Sequence, residues 1–279
     1  MSSSPASWDA IDPVQTLHLV DARHQVHHAL QFVSALAISF LPPAADDSHT
    51  NLGWAPQIGS LKSRGVPAPG GEVHLALRVV DLTVLIRADG RTLVEVPLYN
   101  TTIAAARVSV ASHLTALGLN GGRYTLERHF EIPGHAVAEG AVFDASDRPA
   151  FHTIAASLAN AHAVLGTLAR ERDGSELRLW PHHADLATLF TVAPGRTTGA
   201  GLALGDGYYP EPYFYVNAYP TPDRDRLTDE LAGNGSWHTH EWVGAVLPLS
   251  RLGEGAAEQQ EQATRFLESA MSATTRLLG

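Results

Sequence analysis

The sequence predicts an α+β protein with largely antiparallel sheets packed against helices, and three observations carry that expectation. Long segments with apolar residues at helical spacing open and close each half of the chain. Between them lie runs that alternate with period two. Those runs follow one another directly, with no helix between, which suits antiparallel pairing better than a doubly wound parallel sheet. One compact domain, residues 1–279, is expected, built of two similar helix–strands–helix halves, 1–146 and 147–279.

The elements justify this in order. Residues 13–36 place Leu19, Ala22, Val26, Leu30 and Val33 at helical spacing, and the apolar run that follows stops at Pro42-Pro43. Residues 42–71 are rich in Pro and Gly, a connection long enough to be functional, mobile or partly structured. EVHLALRVV and LTVLIRADGRTLVEVPL then read as strands, with Asp89-Gly90 as a hairpin turn. TIAAARVSVASHLTALGL predicts a helix ending near Gly118, and RYTLERHFEI alternates as a further strand. Residues 148–171 form the clearest helix, with Phe151, Ile154, Leu158, His162, Leu165 and Ala169 on one face and Asp147 placed to cap it. Strands are expected at about 176–180, 186–193, 199–205, 212–219 and 241–249, and EQQEQATRFLESAMSATTRLL closes the chain as an amphipathic helix.

Composition narrows the function classes. The 279 residues are 44% hydrophobic, enough for a sizeable core. A net charge of −10, without a basic cluster, argues against nucleic acid or an anionic membrane as partner. The absence of cysteine excludes disulfides, thiolate chemistry and Cys-based metal centres. MSSSPASWDAID has neither a basic n-region nor an apolar h-region, so a cytoplasmic location is expected. Fifteen histidines are the compositional oddity.

Five polar segments hold the candidate chemistry. DARHQVHHALQ places Asp21, His24, His28 and Gln31 along one helical stripe, with His27 and His28 nearer the buried boundary. DDSHTNLGW offers His49 and Asn51 in a loop where Ser48 and Thr50 serve their own backbone. In RLWPHHADLATLF, Pro181 ends or bulges a strand at Trp180, and extended geometry beyond it sets His183 and Asp185 on one side and His182 on the other. In GDGYYPEPYFYVNAYP, alternation puts Tyr209, Glu211, Tyr213, Tyr215 and Asn217 on one face, a pocket wall or, given two prolines, an aromatic edge. SWHTHEW sets His238 and His240 on one strand face beside Trp237. GAGLALG lacks the spacing of a dinucleotide loop, and no G-x-S-x-G elbow is present.

These stretches, RHQVHHALQ, DDSHTNLGW, RLWPHHADLATL, GDGYYPEPYFYV and SWHTHEWVGAVLPLS, resemble the bacterial family called domain of unknown function 5996 over nearly the whole chain. The resemblance implies that His28, Gln31, His49, Asn51, His182, His183, Asp185, Glu211, Tyr213, Trp237 and His238 occupy motif positions. Members of that family often carry Glu where this chain has His240, which weakens His240 as an essential group. The family brings kinship but no activity.

Three functions compete on these residues. The first is a small-molecule hydrolase or lyase. Some of His28, His49, His183, His238 and Asp185 would hold a divalent ion (Zn, Mn or Fe) with a position open for water, and Glu211 or His182 would act as base. A metal-free variant uses His183 paired with Asp185. In either case Gln31, Asn51, Tyr209, Tyr213, Tyr215 and Trp237 would contact substrate. The second is a non-catalytic small-molecule binding protein, its cavity lined by Tyr208, Tyr209, Tyr213, Tyr215 and Tyr219 with Trp180, Trp237 and Trp242. The third is a structural polar seam, within one chain or across a homodimer.

Overall fold

The computed structural model describes residues 8–279 and is α+β. Four long helices are present among those residues: α1 (Val20–Phe40), α2 (Ile103–Ala116), α3 (Arg148–Glu171) and α4 (Ala256–Leu278). None of them is long and apolar enough to cross a membrane. Contacts group the chain into two units, each with one antiparallel sheet. The first consists of Asp21–Ala155 and Leu179–Ala184; the second of Met1–Val20, Ala156–Arg178 and Asp185–Gly279. Each unit thus draws segments from both sides of residue 146.

In the first unit the strands are β1 (Gly53–Ala55), β2 (Ser60–Lys62), β3 (Val66–Ala68), β4 (Gly71–Arg78), β5 (Thr83–Ala88) and β6 (Arg91–Pro97). The order is β1-β2-β4-β5-β6, with β3 also pairing β4. The Pro- and Gly-rich connection is therefore partly structured, because it supplies the three short strands. Asp89 and Gly90 both have positive φ, 50° and 73°, the pair of left-handed residues that a tight hairpin between right-twisted strands requires. Thr102 caps α2 by accepting from the Ala105 amide at 3.2 Å, and Asp147 caps α3 by accepting from the Ala150 amide at 3.2 Å.

Residues 123–132 do not form the expected strand. The polar groups of residues 123–125 bond to α1 instead. The Tyr124 hydroxyl donates to the Phe32 carbonyl at 2.7 Å, the Thr125 amide to Ser39 Oγ at 3.0 Å, and Arg123 to the Ser39 carbonyl at 2.9 Å. An alternating pattern is satisfied here by one buried tyrosine against a helix, not by a sheet face.

β7 (Arg178–Trp180) ends at Trp180 as Pro181 demands. In the second unit lie β8 (Asp185–Ala193), β9 (Arg196–Ala203), β10 (Tyr213–Tyr219), β11 (Ser236–His238) and β12 (Gly244–Pro248), paired in the order β11-β12-β10-β9-β8. α4 packs on this sheet through buried Phe266, Leu267, Ala270 and Met271. Gln259, on the first turns of α4, accepts from the Trp8 indole and the Ile11 amide and donates to the Ile11 carbonyl, tying residues 8–11 to the helix.

β10 is an interior strand, not the edge that two prolines suggested. Pro210 and Pro212 precede it, so neither withdraws an amide from the ladder. Phe214, Val216 and Ala218 are buried on one face, while Tyr213, Tyr215 and Asn217 take the other, as alternation predicts.

Candidate functional site

In the second unit a row of phenols runs along β10 and is fixed by carboxylates. Tyr215 stands opposite Gly201 of β9. A Cβ at position 201 would lie 2.7 Å from the Tyr215 ring, so only glycine lets the ring cross β9. Its hydroxyl thereby reaches the start of β8 and donates to Asp185 Oδ2 at 2.5 Å. The Tyr213 hydroxyl donates to Asp206 Oδ2 at 2.6 Å. Burial, joined by the Asp206 carboxylate, pushes the Tyr213 phenol well above its usual value, and burial with Asp185 does the same for Tyr215. Both phenols therefore remain protonated donors.

Tyr209 extends the row, its ring 4.7 Å from that of Tyr213, and its hydroxyl meets His238 Nδ1 at 3.0 Å. His238 Nε2 lies 2.7 Å from the His240 carbonyl. A carbonyl only accepts, so Nε2 carries the proton, and in the neutral ring Nδ1 accepts from Tyr209. Trp242 stacks on His238 with ring centroids 4.3 Å apart. Gly244 makes that possible, since a Cβ there would come within 2.5 Å of the indole.

Glu211 is not part of this row. It is buried before β10 begins, and its oxygens accept from Thr16 Oγ1 at 3.1 Å, the Ser250 amide at 2.6 Å and Ser250 Oγ at 2.7 Å. A carboxylate holding three donors joins two short turns and is not poised as a base. Trp237 also turns elsewhere, its indole donating to the Asp229 carbonyl at 2.9 Å. His240 does not share a strand face with His238, because β11 ends at His238 and the chain bends back.

The first unit holds the histidine group on α1, buried almost all round. His27 Nε2 and Gln31 Nε2 both donate to the Pro181 carbonyl, at 3.0 and 2.9 Å. His28 Nε2 donates to the Pro133 carbonyl at 2.9 Å. Burial lowers the His27 pKa to about 4, so the ring is neutral; burial also lowers that of His28. His182 packs edge-on to Phe130 and Trp180, with the exposed His183 ring 4.4 Å from it. Residues 181–184 form a turn closed by Ala184 in the left-handed region (φ 55°), not extended chain. His49 Nδ1 accepts from the Ala44 amide at 3.1 Å, and Asn51 Oδ1 accepts from Arg64 Nε at 3.1 Å. Both close their own loop.

The metal expectation is not met by this arrangement of donors. Among the described residues no three His, Asp or Glu side chains come together to hold an ion. His28, His49 and His238 each spend at least one ring nitrogen on a hydrogen bond. An open cleft of about 810 Å³ in the first unit, beside Thr102, Arg107, Tyr124 and Glu127, contains none of the candidate residues.

Sequence reasoning missed Asp206, Gly201 and Gly244, whereas Trp242 lies against the row as the binding alternative expects. Asp206 had a signal in Asp-Gly-Tyr-Tyr, since an Asp two residues before a turn amide folds the Asx turn seen here. The glycines had none, because their role appears only once the register is known. Fold and row together define an α+β protein with a tyrosine–carboxylate cluster on an antiparallel sheet. Compared with protein-family models, with curated proteins and with solved structures, the chain finds no match in any of the three.

Proposed function

We propose that the chain binds a small molecule on the tyrosine row of β10. The observation that carries this reading is the pair of short bonds, Tyr213 to Asp206 and Tyr215 to Asp185, at 2.6 and 2.5 Å. They hold aromatic faces and hydroxyls in fixed positions before any ligand arrives, which lowers the cost of binding. Binding is favoured over acid–base chemistry by the direction of the shifts. An efficient proton-transfer group titrates near the working pH, whereas Tyr213 and Tyr215 are moved away from it.

The test is a thermal-shift screen of small polar metabolites against wild type, Tyr213→Phe and Tyr215→Phe. A ligand of the row at one hundred times its Kd adds about 2.7 kcal/mol to wild-type stability and loses most of that effect in the variants. A compound that stabilises all three proteins equally would sink the reading.

A second reading, a hydrolase or lyase, draws on one observation. His238 is held in a fixed tautomer against the Tyr209 hydroxyl, a pair able to pass a proton. Conversion of the recovered ligand on long incubation would establish it. A metal-assisted form requires several histidines to leave their present partners. Elemental analysis of untagged protein against His238→Ala and His183→Ala tests that form. Kinship with domain of unknown function 5996 belongs to the same proposal and is supported by the five quoted stretches.

A further inference from the structure

Two surface loops of the second unit meet beside the tyrosine row. Residues 205–210 form a tight turn in which Asp206 Oδ1 accepts from the Tyr208 and Tyr209 amides at 2.7 and 2.9 Å, and the Asp206 amide donates to the Tyr209 carbonyl at 2.8 Å. Asp206 Oδ2 anchors that turn to the buried Tyr213. Residues 239–242 fold back so that the His240 carbonyl accepts from His238 Nε2 and from the Trp242 amide at 2.8 Å. Glu241 sits there at φ 64°, a left-handed conformation that costs a non-glycine residue free energy.

Two side-chain bonds join the loops. The inner one is Tyr209 to His238. The outer one runs from the Tyr208 hydroxyl to Glu241 Oε2, between two exposed residues. Burial deepens inward, from exposed Tyr208 and Glu241, through half-buried Tyr209 and Trp242, to buried Tyr213 and His238. The outer bond stands between anchored turns, and a strained residue supplies one end of it.

We propose that these loops are a gate to the row, latched by the Tyr208–Glu241 bond. Opening separates Tyr209 from His238 and offers a phenol donor, an imidazole acceptor and the Trp242 face together to an entering ligand. The inference rests on the ligand reading above, but its test needs no ligand.

Acrylamide quenching of Trp242 fluorescence in the full chain reads the gate. Each protein is paired with the same protein carrying Trp242→Phe, so that the difference isolates one of the five tryptophans. With the latch intact, Trp242 is quenched slowly. Tyr208→Phe and Glu241→Ala each raise its quenching constant by up to about five-fold, the equivalent of about 1 kcal/mol for one hydrogen bond. Glu241→Gln, whose amide oxygen still accepts from the phenol, falls between them and wild type.

Unchanged quenching of Trp242 in Tyr208→Phe and Glu241→Ala would overturn the gate. So would an equal rise at Trp8 and Trp237, which would mean general loosening. Either result leaves the ligand reading standing. A latch that responds as expected, with no compound binding the row, overturns the ligand reading and not the gate.

Discussion

The tyrosine row and the histidine group are both polar clusters in largely buried surroundings, yet they spend their hydrogen bonds differently. In the row, each phenol bonds to another side chain: Tyr213 to Asp206, Tyr215 to Asp185, Tyr209 to His238. In the histidine group, side chain bonds to backbone: His27 and Gln31 to the Pro181 carbonyl, His28 to the Pro133 carbonyl. The second pattern satisfies irregular chain that has no ladder partner, a structural task. The first leaves the backbone to the sheet and arranges functional groups relative to one another. The buried histidines of α1 therefore serve the scaffold, and the tyrosines with His238 mark the candidate site.

The largest effect expected from this contrast is in pH. His27 has an ordinary pKa of 6.5, lowered by burial to about 4. The unfolded chain takes up that proton first, so stability is full above pH 6.5 and is lost as pH falls towards 4. The loss is about 3 kcal/mol from this one group. The phenols act on the other limb. Tyr213 and Tyr215 are raised from 10.0, so stability is lost as pH rises past 10 and the unfolded tyrosines ionise. Urea denaturation from pH 4 to 11 should show His27→Phe flattening the acid limb alone. If Tyr213→Phe with Tyr215→Phe flattened that limb too, the two clusters would not be independent.

Next comes a double-mutant cycle at the Pro181 carbonyl. Gln31→Met or His27→Phe leaves the other donor in place and costs about 1 kcal/mol. Together they strand a buried carbonyl, and the pair costs about 1–2 kcal/mol beyond the sum. Simple additivity would show that the two donors do not share this acceptor.

Gly201→Ala, in the row, is expected to cost about 2 kcal/mol, because its Cβ meets a ring that cannot yield without losing Asp185. A melting temperature unchanged from wild type would mean that Tyr215 does not lie across β9. The smallest stability effect is Tyr213→Phe, about 1 kcal/mol for one hydroxyl, measured by the same denaturation. There the discriminating quantity is ligand affinity, which should fall even though the fold holds.

Much of the fold was legible because it rests on local chemistry. Asp89-Gly90 turns the β5–β6 hairpin, Asp147 caps α3, and Phe151, Ile154, Leu158 and Leu165 are all buried as their spacing predicts. The failures share a cause, which is dependence on distant partners. RYTLERHFEI alternates like a strand, but its tyrosine is claimed by a carbonyl 92 positions away. Glu211 keeps the parity of the tyrosines in sequence, yet it precedes the strand and is captured by Thr16 and Ser250. The site was legible in part. Tyr209, Tyr213, Tyr215, Asp185 and His238 do assemble, whereas Asn51 and His49 serve their loop and Trp237 bonds away from the row.

The glycines beneath the aromatic rings carry a consequence for descent. Gly201 with Tyr215 and Gly244 with Trp242 are each a residue without a side chain facing a ring that fills its space. Such positions cannot drift separately. A relative that gains a side chain at 201 must shrink its partner at 215, and one that loses the aromatic ring is released from glycine. Paired substitution at these sites, sought across divergent sequences, would trace which lineages keep the row and which have abandoned it.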